Sequence, residues 1–243
     1  NHLGFDISFN KISSADKSKE GAINVVDDFK NPPEISFGAL NKEVGHAAFE
    51  SIKKGVKDLK EGKIDVLVTP PINKEAIHSD DFPFMGHTDY INSEINGSSS
   101  MMMVSNDLRI ALLTEHIPVS KVTDSITPEL VENKVNALNE TLMRDFQIER
   151  PKIAILSIDP HVGDGGVIAE NDKKLIVPAI KKVQDSGVLV YGPFSADSFF
   201  GSAEHNKYDL IIAAYHDQGL IPFKTLSFGM GVNYTSGLDK IRT

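Results

Sequence analysis

Three histidines stand just past the ends of apolar, strand-like runs. Residues 109–115 (RIALLTE) lead to His116, residues 152–160 (KIAILSIDP) to His161, and residues 208–215 (YDLIIAAY) to His216. Neutral imidazole is the commonest side-chain metal ligand. Three imidazoles leave coordination positions open for water or substrate oxygens. In a parallel α/β sheet the carboxyl ends of the strands open onto one crevice, so the pattern points to an open-sided divalent-metal site. Taken singly, each histidine reads equally well as a hydrogen-bonded loop residue, and the intervals are too long for any local metal motif. It is the repeated placement at strand ends that favours the metal. A fourth run, residues 63–69 (KIDVLVT), delivers Asn73 and Lys74 in the same way.

The surroundings of these histidines add polar groups. His161 lies in Asp159-Pro160-His161-Val162-Gly163-Asp164-Gly165-Gly166, whose glycines permit a sharp turn beside a ligand. His216 lies in Tyr215-His216-Asp217-Gln218-Gly219, where Asp217 is a candidate general base or the partner that fixes the imidazole tautomer. Lys224 suits an anionic substrate or proton transfer. Asn233 and Arg242 follow, and arginine can grip phosphate or carboxylate with two parallel bonds. In Gly86-His87-Thr88-Asp89-Tyr90, His87 and Thr88 can donate to an oxyanion. The plainer reading makes Thr88 or Asp89 the N-cap of a helix over 90–95, and helix N-termini bind anions too.

Alternating elements must position these residues. Residues 42–61 carry Val44, Ala47, Ala48, Ile52, Val56 and Leu59 at near-helical spacing, with Gly62 as the stop. Thr127 reads as an N-cap with Pro128 at the first helical position, opening a helix to about Phe146. A helix over 172–186 ends at Gly187, and strands are expected over 63–69, 152–158, 188–191 and 210–215. The alternation predicts an α/β fold with a mostly parallel sheet and helices on both faces. Residues 1–30 show no clear period. Residues 227–237, rich in glycine, asparagine and serine, read as a loop. The remaining histidines, His2, His46, His78 and His205, lack the strand-end placement and read as surface or structural.

Composition narrows the classes. With 243 residues, 40% of them hydrophobic, the chain can bury one large or two modest cores. It has no cysteine, which excludes disulfides and thiolate chemistry and fits the cytoplasm. The formal net charge of −9 argues against nucleic-acid partners, and no apolar run is long enough to span a membrane. There is no GxGxxG after a strand and no GxxxxGK[ST], so an ordinary Rossmann site and a P-loop are unsupported.

In combination, Gly86-His87-Thr88-Asp89, His116-Ile117-Pro118, Asp159 to Gly166, Tyr215 to Leu220, and Gly231 to Leu238 with Ile241-Arg242-Thr243 resemble the 4-hydroxythreonine-4-phosphate dehydrogenase family of pyridoxal phosphate biosynthesis. The match spans roughly 66–243. The resemblance implies a fold like the isocitrate and isopropylmalate dehydrogenases, two α/β domains around a cleft. It implies that residues 1–243 form one such two-domain catalytic unit, incomplete at both termini. It further implies a homodimer whose metal site is shared by both subunits, with His116, His161 and His216 as ligands. His87, Thr88, Lys224, Asn233 and Arg242 match substrate-binding positions, and Asp217 and Lys224 are the expected catalytic groups. The reaction implied is oxidation of a secondary alcohol by NAD or NADP, followed by loss of the adjacent carboxylate. The metal would be zinc, cobalt, magnesium or manganese; three histidines suit zinc, cobalt or nickel, whereas magnesium and manganese prefer oxygen. The usual Asn-Pro-His-Ala-Gly-Glu stands here as Asp159 to Asp164, which keeps threonate or erythronate 4-phosphate open as substrates.

Two rivals remain at this level. A phosphate acyltransferase would need neither metal nor nicotinamide, and the strand-end histidines argue against it. A metal-dependent binder of phosphorylated ligands would use the same residues without turnover.

Overall fold

A computed structural model describes residues 7–27, 29, 31–227 and 229–243; His2 lies outside them. The described chain has ten strands: β1 (Asn10–Ile12), β2 (Asn24–Val26), β3 (Val66–Leu67), β4 (Gly97–Val104), β5 (Arg109–Leu112), β6 (Lys152–Leu156), β7 (Leu189–Phe194), β8 (Leu210–Ala213), β9 (Val232–Leu238) and β10 (Ile241–Arg242). Its α-helices are α1 (Lys42–Lys60), α2 (Lys74–Ile77), α3 (His87–Glu94), α4 (Val122–Ser125), α5 (Pro128–Asp145), α6 (Val177–Asp185), α7 (Ala196–Gly201) and α8 (His216–Leu226). They divide into two compact units, one reaching to Asn96 and taking in Lys240–Arg242, the other Gly97–Asp239 with Thr243.

In the first unit, Asn41 starts α1 by accepting the N–H groups of Glu43 at 2.8 Å and Val44 at 3.4 Å. The apolar stripe read from the sequence buries Phe49, Ile52, Val56 and Leu59. Gly45 lets α1 touch the backbone of α2: a Cβ there would lie 2.0 Å from the Ala76 carbonyl oxygen. Phe49, Phe82, Phe84 and Tyr90 form an aromatic knot with ring centroids 5.1–5.7 Å apart, which fixes α3. The strand expected over 63–69 shrinks to β3, which pairs in parallel with β10 and not with the large sheet. The unpatterned N-terminal stretch contributes β1 and β2, a parallel pair.

The second unit holds a six-stranded sheet in the order β7-β6-β8-β5-β4-β9. The first four strands are parallel; β4 pairs antiparallel with both β5 and β9. β5, β6 and β8 are almost wholly buried, as continuous apolar strands of a covered parallel sheet should be. Thr127 caps α5 through the Leu130 N–H at 3.1 Å, with Pro128 beginning the helix. Gly219 lets α8 press on β5 and β8; a Cβ there would meet Ile110 and Leu112 side chains at 2.9 Å and Ala213 Cβ at 3.0 Å.

Three further expectations change. The loop read over 227–237 contains β9, because β4, unread in the sequence, supplies the missing hydrogen-bond partner. The helix expected over 172–186 opens with a π-helical turn at Asp172–Ile176 before α6. Neither Thr88 nor Asp89 caps α3: Gly86 is the N-cap, and both lie inside the first turn.

Candidate functional site

β5 and β8 are neighbours, and their ends place His116 and His216 with ring centroids 5.6 Å apart. His216 is the first residue of α8, and its Nδ1 lies 2.7 Å from Asp217 Oδ1. That bond favours the tautomer with the proton on Nδ1 and leaves Nε2 as a lone-pair donor, the usual arrangement of a metal-binding imidazole. Asp217 is therefore placed to fix the tautomer, the second of the two roles read from the sequence.

His161 leaves the end of β6 on a different structure. From His161 to Gly166 every residue has positive φ, and His161, Val162 and Asp164 adopt it at 53°, 55° and 46° without being glycine. Left-handed backbone is costly for such residues and persists only where surroundings enforce it. The chain on either side of this stretch is pinned. Buried Asp172 accepts the N–H groups of Ile158 at 2.8 Å and Asp159 at 3.0 Å. Asp159 in turn accepts from Asn171 N at 3.2 Å and Nδ2 at 3.0 Å. Burial raises the Asp172 carboxyl above its ordinary pKa, opposed by the two backbone bonds. Gly163 sits where a Cβ would fall 2.2 Å from the Ala169 oxygen. Exposed Asp197 is held below its usual carboxyl value first by the Ser195 hydroxyl and then by the Ser198 N–H. Among the described residues, no three His, Asp or Glu side chains are grouped to hold a metal. The structure thus joins His116 with His216 and leaves His161 apart from that pair.

Two further side chains at these strand ends were not read from the sequence. Lys134 of α5 donates to Ser100 Oγ and the Leu112 carbonyl, both at 2.9 Å, and to Glu115 at 3.3 Å. Burial lowers its pKa, and Glu115 opposes the shift. Gln218 accepts from Ala214 N at 2.7 Å and donates to the Ser157 carbonyl at 2.8 Å. A lysine on the apolar face of an amphipathic helix, beside Val131, Val135 and Leu138, was the signal available for the first; the second had none beyond its place beside His216. Lys224 is exposed in the last turn of α8, about 12 Å further along the axis than His216 at 1.5 Å per residue. Asn233 is exposed on β9 opposite Met103.

In the first unit, a separate cluster forms around Arg242. The β3–β10 pairing brings Arg242 opposite Leu67. Its guanidinium donates to Thr69 Oγ1 at 2.9 Å and Thr88 Oγ1 at 3.4 Å. His87, beside Thr88 at the start of α3, has a buried Nε2 with no partner. Burial lowers the His87 pKa, and the Arg242 charge adds to the effect. A neutral imidazole, a guanidinium, a hydroxyl and the first amides of a helix form a donor set suited to a phosphate. Lys74 lies close by, its Cε 4.0 Å from where a Cβ on Gly86 would stand, and Asn73 caps α2 through the Ala76 N–H at 3.0 Å. Of the five residues matched to substrate positions, the structure unites His87, Thr88 and Arg242.

The family model of the pyridoxal phosphate biosynthetic protein PdxA matches residues 2–243. A 4-hydroxythreonine-4-phosphate dehydrogenase from Bacteroides thetaiotaomicron is 41% identical, over 99% of this chain and 67% of its own length. A D-threonate 4-phosphate dehydrogenase from Cupriavidus necator is 35% identical, over 99% of this chain and 73% of its own. The crystal structure of a 4-hydroxythreonine-4-phosphate dehydrogenase from Burkholderia phymatum superposes with a TM-score of 0.84 at 35% identity, covering 99% of this chain and 74% of that one.

Proposed function

Since the chain belongs to the PdxA family of pyridoxal phosphate biosynthetic proteins, we propose that it oxidises 4-phosphohydroxy-L-threonine with NAD or NADP and a divalent metal, with loss of the adjacent carboxylate. The observation that carries this reading is the His116–His216 pair at adjacent strand ends, with Asp217 occupying His216 Nδ1. Two imidazoles so presented fit a divalent ion, and the all-nitrogen set favours zinc or cobalt over magnesium or manganese. His161 is assigned as the third ligand. Its separation from the other two within one chain supports a homodimer whose subunits share the metal. A metal held by these histidines would supply polarisation of the secondary alcohol, and a bound nicotinamide would supply the hydride acceptor.

The chain's own residues do the rest. His87, Thr88 and Arg242 bind the phosphate. Asp217 holds the proton on His216 Nδ1, and Lys224 is assigned proton transfer at the substrate, with Asn233 a further contact to it. Because His87 is kept neutral, it offers the phosphate a hydrogen bond rather than a charge. No helix among the described residues is long and apolar enough to cross a membrane, and the cysteine-free chain is assigned to the cytoplasm.

D-threonate 4-phosphate is the second reading, favoured by the Cupriavidus necator relative. It shares the phosphate and the secondary alcohol and differs in lacking the amino group. The test is absorbance of reduced nicotinamide with full-length protein, NAD or NADP, zinc or cobalt, and each substrate in turn. A rise with 4-phosphohydroxy-L-threonine that EDTA abolishes is expected. A rise with D-threonate 4-phosphate alone moves the assignment to that substrate, and none with either overturns the dehydrogenase.

A further inference from the structure

One side chain joins two of the loops that carry candidate metal ligands. β6 and β8 are adjacent and parallel, in register at Ile153–Leu210, Ala154–Ile211 and Ile155–Ile212. Past these pairs the chains must separate, one toward His161 and the other toward His216. At that fork stands Gln218, whose Oε1 accepts the Ala214 N–H at 2.7 Å and whose Nε2 donates to the Ser157 carbonyl at 2.8 Å. The orientation of the amide is fixed, because one end faces an N–H and the other a C=O. Ser157 and Ala214 are buried, at 2% and 0% exposure, so water is poorly placed to replace either bond.

The lacing extends to the third strand. Thr114, two residues before His116, donates from Oγ1 to the Ala214 carbonyl at 2.7 Å and from its N–H to the same oxygen at 3.2 Å. Ser157 passes the connection onward, donating from Oγ to the Asp159 carbonyl at 2.8 Å, two residues before His161. The ends of β5, β8 and β6 are thus tied in sequence, and Gln218 is the link between β8 and β6.

We propose that Gln218 is a positioning residue that fixes where the His161 and His216 loops leave the sheet, and so where this chain presents each histidine to a metal shared with its partner subunit. The inference rests on the assignment of both histidines as ligands under the proposed function. Gln218 touches neither imidazole through the bonds described; it acts through the backbone from which each loop departs. Glutamate at this position keeps the size but sets a carboxylate oxygen against the Ser157 carbonyl, which forces the fork open. Methionine keeps the volume and removes both bonds. Side chains that orient metal ligands typically cost 10–100-fold in metal affinity when lost, and that is the range expected for Gln218→Glu and Gln218→Met.

The test measures zinc affinity by competition with a chelator in the full-length protein, with amide hydrogen exchange of the metal-free form as a second readout. Val183→Ala, a cavity in the core face of α6 far along the chain from these loops, controls for lost stability. The proposal predicts zinc affinity weakened about 10–100-fold in both Gln218 variants, faster exchange at 157–159 and 214–216, and wild-type affinity in Val183→Ala. Zinc binding within twofold of wild type in both Gln218 variants overturns it, as does an equal loss in Val183→Ala. His216→Ala separates the two levels. If that variant binds zinc normally, the ligand assignment fails, and the exchange data alone decide whether Gln218 holds the fork: faster exchange at both segments supports it and unchanged exchange overturns it.

Discussion

The strand ends of the Gly97–Asp239 unit and the Arg242 cluster of the other unit place functional groups by opposite means. At the strand ends, each histidine follows a buried strand of the six-stranded sheet, and the backbone behind it is tied by side chains from neighbouring helices: Lys134, Asp172 and Gln218. Around Arg242 the supports are fragments. Two-residue strands, an eight-residue helix and an aromatic knot converge from residues 154 and 173 positions apart in the sequence. The first region commits its hydrogen bonds to rigidity, as the proposed metal site would require. The second leaves His87 Nε2 without a protein partner, as the proposed phosphate site would require. A rigid ligand frame and an unsaturated donor set are therefore separable, and substitutions should affect one without the other.

The sharpest separation comes from the histidines. His116→Ala or His216→Ala should lower metal-dependent turnover by at least ~1000-fold, since the polarising ion goes with its ligand. The affinity for a phosphorylated substrate analogue should stay within about threefold, as calorimetry would show; a parallel loss of phosphate binding breaks the comparison. Arg242→Ala should do the reverse. Loss of charge-assisted bonds of ~1.5–3 kcal/mol raises KM for the phosphorylated substrate about 10–100-fold while zinc affinity is kept. Arg242→Lys should fall between, because an ammonium cannot span Thr69 and Thr88 as the planar guanidinium does.

Smaller effects sharpen the picture. Gly219→Ala overpacks the contact of α8 with β5 and β8, at a cost of ~1–3 kcal/mol, and should lower Tm by about 2–10 °C. An unchanged Tm would show that α8 is less tightly seated than its contacts imply. The smallest effect is electrostatic. His87 should titrate below the ordinary histidine value of about 6.5 in NMR spectra of the ligand-free protein, and a bound phosphate ester should raise it. The sign for stability follows from linkage. With the folded-state pKa lowered, the unfolded chain takes up the proton first as pH falls through about 6.5, so His87 subtracts stability from there down to its folded pKa. His87→Gln should remove that part of the acid sensitivity, and a titration at or above the ordinary value would contradict the burial of the ring.

The two regions also differed in how much could be read from the sequence. Strand ends are legible because continuous apolar runs such as Leu210–Ala213 announce buried strands, and the next polar residues must face the crevice. The helix α5 was legible to its cap, since Thr127 and Pro128 are local signals. The Arg242 cluster was not, because nothing in the spacing shows that Ile241–Arg242 pairs with Val66–Leu67. Its members came instead from resemblance to a family. β9 was hidden for the same reason: a strand rich in glycine, serine and asparagine is stabilised by its partner β4 rather than by propensity. Nor does the motif around His161 disclose six successive left-handed residues, three of them not glycine, or that Asp172 from a later segment pins the approach to them at Ile158 and Asp159.

The most direct test of the account is zinc binding by the full-length protein in equilibrium dialysis, comparing wild type with His116→Ala, His161→Ala, His216→Ala and Arg242→Ala. The account predicts that each histidine variant loses affinity by more than the ~10–100-fold expected for an orienting residue, while Arg242→Ala binds as wild type does. Wild-type zinc affinity in any histidine variant, above all His161→Ala, would contradict the three-histidine site, and loss in Arg242→Ala would contradict the separation of the two regions.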